Sequence, residues 1–277
     1  MRCLTALLFF GARATLSGAA VGDAYTRLYN FDFPGAHKIL DSYIAGAPQD
    51  PLGHSTRAAA YLFYELDRLK ILQGEFLTDD KKISGDDRLQ PDPAIRTRFF
   101  ASVEEAQRLA DTLLRDHPGD PNALFAFCIT EGLKTDYTAF VEKRQLRSLA
   151  SARKAHNYAV ELLKQDPTFV DANLTTGITE YLVGSLPFFI KWFVKFDQTQ
   201  GSKQQAVANL EKVAQQGRYL GPFARILLSI IHLREKRAPQ SIRLLEGLVA
   251  EFPGNHLLRT ELNKLRLTPV KQRIEIR

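Results

Sequence analysis

A small residue followed twelve positions later by proline recurs along the chain and constrains its fold more than any other feature. Four segments share this spacing, and the pairs are Ala36 and Pro48, Ala106 and Pro118, Ala155 and Pro167, and Ser241 and Pro253. A fifth segment begins at Ala206 and has Arg218 where the proline would stand. Recurrence of one unit along a chain is typical of solenoid proteins, whose units bury a core only by packing on their neighbours.

Between the small residue and the proline, apolar residues occupy the fourth and seventh positions after the small residue. These residues are Leu40 and Tyr43, Ala110 and Leu113, Ala159 and Leu162, Leu210 and Val213, and Leu245 and Leu248. This spacing places them on one face of an α-helix. Proline ends such a helix because it has no backbone N–H to donate and its ring clashes with the preceding turn.

A second helix is predicted after each of these stops, and it also has a small residue at a matching point. The four small residues are Ala58, Cys128, Gly177 and Ser229. The pattern resembles the tetratricopeptide repeat, in which helix A and helix B cross closely at small residues and a proline follows helix B. Ser229 in helix A and Ser241 in helix B fit that repeat best. The resemblance implies an all-α, right-handed helical solenoid of about five helix pairs over residues 21–277, which binds other proteins.

The repeats are spaced irregularly, and the extra residues form three insertions. The small residues of successive B helices are 70, 49, 51 and 35 positions apart, whereas a tetratricopeptide repeat has about 34 residues. We expect A helices at about 54–74, 121–134 and 170–184, so each insertion falls in the turn between helix A and helix B. These turns share one edge of a solenoid, which predicts a binding edge. The alternative is that loops lengthen wherever this is tolerated.

The third insertion begins with SLPFFIKWFVKF, residues 185–196, which has five aromatic residues and two lysines. As a helix it is apolar over about 240° of its circumference. We expect it to fill the concave groove of the solenoid with Trp192 buried, and docking to a partner or contact with a membrane surface are the alternatives. The segment is also similar to an SLLPP-type insertion in a eukaryotic group of tetratricopeptide proteins, which includes an outer-mitochondrial protein linked to the clearing of inclusions.

The groove positions of the tetratricopeptide family are apolar in this chain. The predicted partner or ligand surface consists of Leu62, Ile129, Ile178, Tyr181, Phe189, Trp192, Phe193 and Phe196. Further groove positions are Ala59, Phe63, Phe125, Leu133, Leu174, Leu182, Ile226, Ile230 and Leu233. A long apolar groove needs a cover. The sequence therefore predicts a non-catalytic scaffold with a protein partner, and a carrier of an apolar small molecule is the alternative.

The N-terminus resembles an export signal. One arginine precedes an apolar run, and Gly18 to Ala20 offer a cleavage site. We therefore expect residues 1–20 to be a signal peptide of an exported, periplasmic or secreted protein, and the alternative is a first helix of a cytoplasmic fold. No other segment has the roughly 20 apolar residues that a membrane span needs.

No catalytic constellation is recognisable. The six histidines are dispersed, and none pairs with another histidine or cysteine at metal-ligand spacing. The acidic stretch around Gly85 lacks the register of a calcium loop. The net charge of +6 comes from scattered residues, and the basic segment 143–154 has no interleaved aromatic residues, so no nucleic-acid partner is expected. We expect neither a metal nor another cofactor, and an enzyme with a dispersed active site is the third hypothesis.

Overall fold

The computed structural model describes residues 18–73, 89–185 and 202–267, and within these ranges it contains helices and no strands. The α-helices are α1 (18–29), α2 (Phe33–Gly46), α3 (Pro51–Arg68), α4 (Pro93–Asp116), α5 (Pro121–Asp136), α6 (Gln145–Gln165), α7 (Asn173–Ser185), α8 (Lys203–Gln216), α9 (Gly221–Arg234), α10 (Ala238–Glu251) and α11 (His256–Leu267). A π-helix, Tyr137–Val141, follows α5, and a 3-10 turn, Val170–Ala172, precedes α7.

The helices form five successive A–B pairs. The pairs are α1 and α2, α3 and α4, α5 and α6, α7 and α8, and α9 and α10, with α11 packed on the last pair. Neighbouring helices along the chain pack on one another from α2 to α11. The predicted all-α, tetratricopeptide-like solenoid of about five helix pairs is confirmed.

The small residues lie where helices cross, as predicted. Ala36, Ala106 and Ala206 are fully buried. A Cβ at Gly177 would stand 3.2 Å from the carbonyl oxygen of Ala206, so α7 approaches the backbone of α8 more closely than a larger residue allows. In the last pair, the hydroxyl groups of Ser229 and Ser241 are 3.3 Å apart.

The proline stops and the caps that follow them set the short turns between helix B and the next helix A. Helices α2, α4, α6 and α10 each end two residues before the proline of their repeat. Two of the next helices are then capped by an aspartate: Asp50 Oδ1 accepts the N–H of Leu52 at 2.9 Å, and Asp120 Oδ1 accepts the N–H of Ala123 at 2.9 Å. An aspartate at this position binds N–H groups that have no partner within the helix.

The structure adds a helix that the sequence analysis did not assign to the array. Helix α1 buries Val21, Tyr25 and Leu28 along one face. The Tyr25 ring stacks on Tyr219 with the ring centroids 5.8 Å apart, and the Tyr29 hydroxyl donates to the Tyr219 carbonyl oxygen at 2.9 Å. Helix α1 therefore packs against the start of α9, although about 190 residues separate them along the chain.

Residues at the end of α1 and just after it join the first repeat to the start of α11. The side-chain amide of Asn255 donates to the carbonyl oxygen of Tyr29 at 2.9 Å, and Phe31 meets the ring of His256 edge-on at 5.3 Å between centroids. Between the second and fifth helix pairs, the rings of Phe63 on α3 and Phe223 on α9 are 5.7 Å apart. Part of the groove is thus filled by α1. Residues 185–196 were expected to fill the groove, but from position 186 onward this segment lies outside the described residues.

The predicted signal peptide overlaps this helix. Residues 1–17 lie outside the described part of the chain, whereas residues 18–20 form the first turn of α1. Gly18 is buried there, and the guanidinium of Arg218 lies where a side chain at position 18 would stand.

Candidate functional site

The three insertions leave the array at the ends of α3, α5 and α7, as predicted. Each lies between a helix A and the helix B that follows it. We call the edge of the solenoid where these turns lie the insertion edge. Helix α3 is shorter than expected, because it ends at Arg68 and Lys70 has a positive φ of 60°.

A buried glutamate holds the two ends of the first insertion together. Glu65 of α3 is fully buried and binds Arg68 through two hydrogen bonds of 2.8 and 2.9 Å. Its Oε1 atom also accepts the backbone N–H of Asp92 at 2.7 Å. Asp92 is the N-cap residue of α4. The departure and return points of the insertion are therefore joined by one carboxylate.

The third insertion has the same arrangement. Glu180 of α7 accepts the backbone N–H of Ser202, the N-cap residue of α8, at 2.8 Å. Beside it, Lys203 lies 5.7 Å from the centre of the Tyr181 ring and forms a 2.6 Å ion pair with Glu235. The hydrogen bond from Lys203 lowers the pKa of Glu235. A glutamate near the end of helix A thus binds the N-cap residue of helix B at both of the longest insertions.

The second insertion packs on the start of α4. The ring of Tyr137 stacks on Phe99 at 5.1 Å between centroids and is buried. This burial raises the pKa of Tyr137 to about 12. Glu142 lies 3.6 Å from the guanidinium of Arg96 in the first turn of α4. The second insertion therefore lies next to the point where the first one returns.

A carboxyl group lies at the end of α5. Asp136 is partly buried, and desolvation raises its pKa to about 7. It lies seven positions after Ile129, about two helical turns, so the two residues share a face of α5. The last turn of a helix also disfavours a negative charge because the helix dipole is negative there.

Two exposed leucines border the insertions. Leu146 in the first turn of α6 follows the second insertion and is 85% exposed, and Leu182 near the end of α7 precedes the third and is 58% exposed. Removing an exposed apolar side chain from water is favourable, so such residues are candidate contact points.

The predicted surface residues are only partly brought together. Ile129 and Ile178 are partly buried on neighbouring A helices, and Tyr181 is 9% exposed. Leu62 was predicted to belong to this surface, and that prediction is wrong, because it is fully buried. Helix α3 packs against α2, α4 and α5, and Tyr25 of α1 reaches Thr56 on it. Phe189, Trp192, Phe193 and Phe196 lie outside the described residues.

The remaining predicted groove positions are buried or partly buried, with one exception. Ala59, Phe125, Leu133 and Leu174 are buried, whereas Phe63, Ile226, Ile230 and Leu233 are partly buried and Leu182 is exposed. The sequence analysis missed Leu146 and the two glutamates. Leu146 could have been noticed as an apolar residue within the polar stretch that opens the B helix.

The described ranges contain no cluster of three or more histidine, cysteine or acidic residues that could hold a metal ion. Cys128 is buried, which raises the pKa of its thiol to about 11, and its Sγ lies 3.1 Å from the hydroxyl of Thr175. No helix in these ranges combines the length and hydrophobicity that crossing a membrane requires.

Comparison with known proteins gives a likeness of fold only. No protein-family model matches the chain, and no curated protein matches it. Among solved structures, the chain is similar to a thermophilic tetratricopeptide-repeat protein of Thermus thermophilus, with 13% sequence identity, a TM-score of 0.48, and coverage of 90% of this chain and 99% of that chain.

Proposed function

We propose that this protein is a non-catalytic interaction scaffold and that a protein partner docks on its insertion edge. The observation that carries the proposal is the pair of exposed leucines, Leu146 and Leu182, which border two insertions on that edge. Helix α1 packs at the start of α9 and reaches Thr56 near the start of α3, away from the ends of the A helices where the insertions leave. It therefore does not cover the insertion edge.

The energetics of this edge suit a protein partner. Burying one leucine contributes about 1.5–3 kcal/mol, and interface energy is concentrated in a few such side chains near the centre of a contact. The polar neighbours Lys203 and Glu235 provide a rim beside Leu182. Phe189, Trp192, Phe193 and Phe196 are proposed to add apolar contacts at the same edge.

The proposal includes an exported location, which the N-terminal sequence supports through its apolar run and small residues. A carrier of an apolar ligand in the groove is less well supported, because Leu62, Phe125 and Leu174 are buried by neighbouring helices. A nucleic-acid partner is not proposed, since basic residues are scattered among acidic ones.

The experiment compares three leucine variants in affinity capture from the native host with quantitative mass spectrometry. L146D and L182D place a charge on the insertion edge. L267D is the comparison variant, because Leu267 is 81% exposed but lies on α11, which follows the last helix pair and borders none of the three insertions. All three side chains are exposed, so each variant should fold with wild-type helicity by circular dichroism.

We expect a partner that is captured by wild type and L267D and is lost with L146D or L182D. Replacing residues 74–88 by a short linker should leave the fold intact and reduce capture if the first insertion contributes. A partner retained equally by all variants would show that the insertion edge is not its docking site.

A further inference from the structure

A cavity of 260 Å³ lies between α1, the turn from α8 to α9, and α10. Its lining includes Gly22, Thr26, Gly217, Arg218, Arg225 and Glu251. It is far from the insertion edge and has no part in the proposed function. A water molecule takes up about 30 Å³ in the liquid, so the cavity holds a small ligand of several non-hydrogen atoms.

One cation of this cavity has no ion-pair partner among the described residues. Arg225 forms a 2.6 Å ion pair with Glu251, so these two lining charges offset each other. The Arg218 guanidinium stacks over the Tyr219 ring at 5.1 Å, and no carboxylate of the described residues pairs with it. The net charge of the lining residues is therefore +1.

The nearby carboxylate of Asp171 forms hydrogen bonds with backbone groups and no ion pair with the Arg218 side chain. Asp171 is 2% exposed, and its oxygens accept the backbone N–H groups of Arg218, Tyr219 and Leu220. These three donors occupy the carboxylate, while the Arg218 side chain extends to the exposed side of the turn.

We propose that this cavity binds a small ligand with an oxyanion group, a phosphate or a carboxylate, held by the guanidinium of Arg218. Planar guanidinium groups bind both kinds of oxyanion through paired N–H donors. The stack on Tyr219 holds the planar group in place, so less rotamer freedom is lost on binding. Thr26 also lines the cavity, and its hydroxyl donates to the carbonyl oxygen of Gly22 at 3.1 Å.

The absence of a side chain at Gly22 leaves part of this cavity open and provides a means to fill it. A Cβ added at Gly22 meets nothing within 4 Å, so a larger side chain there enters the cavity without a clash. Gly247 on α10 is also helical and also has nothing within 4 Å of an added Cβ, but it does not line the cavity. G22L and G247L are thus a matched pair.

The test titrates the full chain with inorganic phosphate and, separately, with acetate at constant ionic strength, and follows backbone amide NMR signals. We expect shifts confined to Gly22 and the turn from Gly217 to Gly221. R218A and G22L should each weaken binding about tenfold to hundredfold, as expected for a lost charged hydrogen bond or a filled site. R147A, which removes an exposed arginine elsewhere, and G247L should bind as wild type does.

Binding of phosphate alone would assign a phosphate ligand, and binding of acetate alone would assign a carboxylate. The proposal is overturned if neither anion shifts these amides, or if R218A and G22L bind as wild type does. It is also overturned if the shifts spread over basic residues of the whole surface, because that pattern is general screening of positive charge.

Discussion

The carboxylate of Asp171 accepts the backbone N–H of Arg218 at 2.8 Å, and Arg218 stands where four other segments of the chain have proline. The same carboxylate accepts two further N–H groups, from Tyr219 and Leu220 at 3.0 and 2.7 Å. Proline has no N–H to donate. The lack of a proline at position 218 is therefore explained by a backbone hydrogen bond to a residue 47 positions earlier in the chain.

Arg218→Pro should destabilise the fold, because it removes one of three donors from a buried carboxylate. The expected loss in the free energy of unfolding is about 1.5–3 kcal/mol, the usual contribution of a hydrogen bond to a charged group. Arg218→Ala keeps the backbone donor and should stay within about 0.5 kcal/mol of wild type. Urea denaturation measures both, and equal midpoints for the two variants would contradict this role of the N–H.

The closure between the first and last repeats can be tested at Asn255, which has two separable roles. Its Nδ2 donates to Tyr29, and its Oδ1 accepts the N–H groups of Leu257 and Leu258 at the start of α11. Asn255→Asp retains the cap and loses the donor, so it should cost about 1–2 kcal/mol. Asn255→Ala loses both, which adds about 1 kcal/mol for the cap.

Urea denaturation of the two Asn255 variants provides the measurement, and hydrogen exchange locates the effect. In Asn255→Asp, faster exchange of amides in both α1 and α11 is expected, since the lost bond joins them. An Asn255→Asp protein as stable as wild type would mean that the cap alone matters and that the closure adds nothing.

The helix pairs and the positions of the insertions could be predicted because their determinants are local. Ala106, the apolar residues after it and Pro118 define one helix without reference to the rest of the chain. Helix α1 had a similar local marker, since Ala24 precedes Ala36 by 12 positions, the same spacing as from Ser229 to Ser241. The resemblance of the N-terminus to an export signal obscured it.

The location of α1 could not be predicted, because it depends on contacts between distant parts of the chain. Nothing near Tyr29 in the sequence indicates that its hydroxyl binds Tyr219 or that its carbonyl binds Asn255. For the same reason Leu62 was taken for a groove residue, although the helices around α3 bury it. The two glutamates that join the insertion ends also act across gaps of more than 20 residues.

Asp136 should make stability depend on pH. Its pKa is raised from 3.8 to about 7 by burial, so the folded state favours the neutral acid. The resulting stability is fully present below the unfolded pKa and is lost as the pH rises through about 7. Asp136→Asn removes this loss. The variant should therefore match wild type at pH 4 and exceed it at pH 8 by about 1–2 kcal/mol, less than a fully buried group would give because Asp136 is partly exposed.

Urea denaturation of wild type and Asp136→Asn at several pH values between 4 and 8 measures this difference. The gap between the two proteins should widen steadily as the pH rises and level off above the folded pKa. A constant gap at every pH would indicate that the substitution acts through packing rather than through ionisation.

The last prediction compares two ion pairs of the same geometry in different surroundings. Glu65 and Arg68 on α3, and Glu105 and Arg108 on α4, are both bidentate pairs three residues apart. The Glu65 side chain is 0% exposed and the Glu105 side chain is 37% exposed. Only Glu65 also binds the N–H of Asp92 across the first insertion.

Glu65→Ala should cost about 2–4 kcal/mol in the free energy of unfolding, because it leaves the N–H of Asp92 and the Arg68 guanidinium without their acceptor. Glu105→Ala should cost less than about 1 kcal/mol, since solvent screens the pair and replaces its hydrogen bonds. Urea denaturation gives both values, and hydrogen exchange at the start of α4 should accelerate only in Glu65→Ala. If the two variants lose the same stability, the carboxylate of Glu65 does not hold the ends of the insertion together, and the base of the insertion edge must be fixed by packing alone.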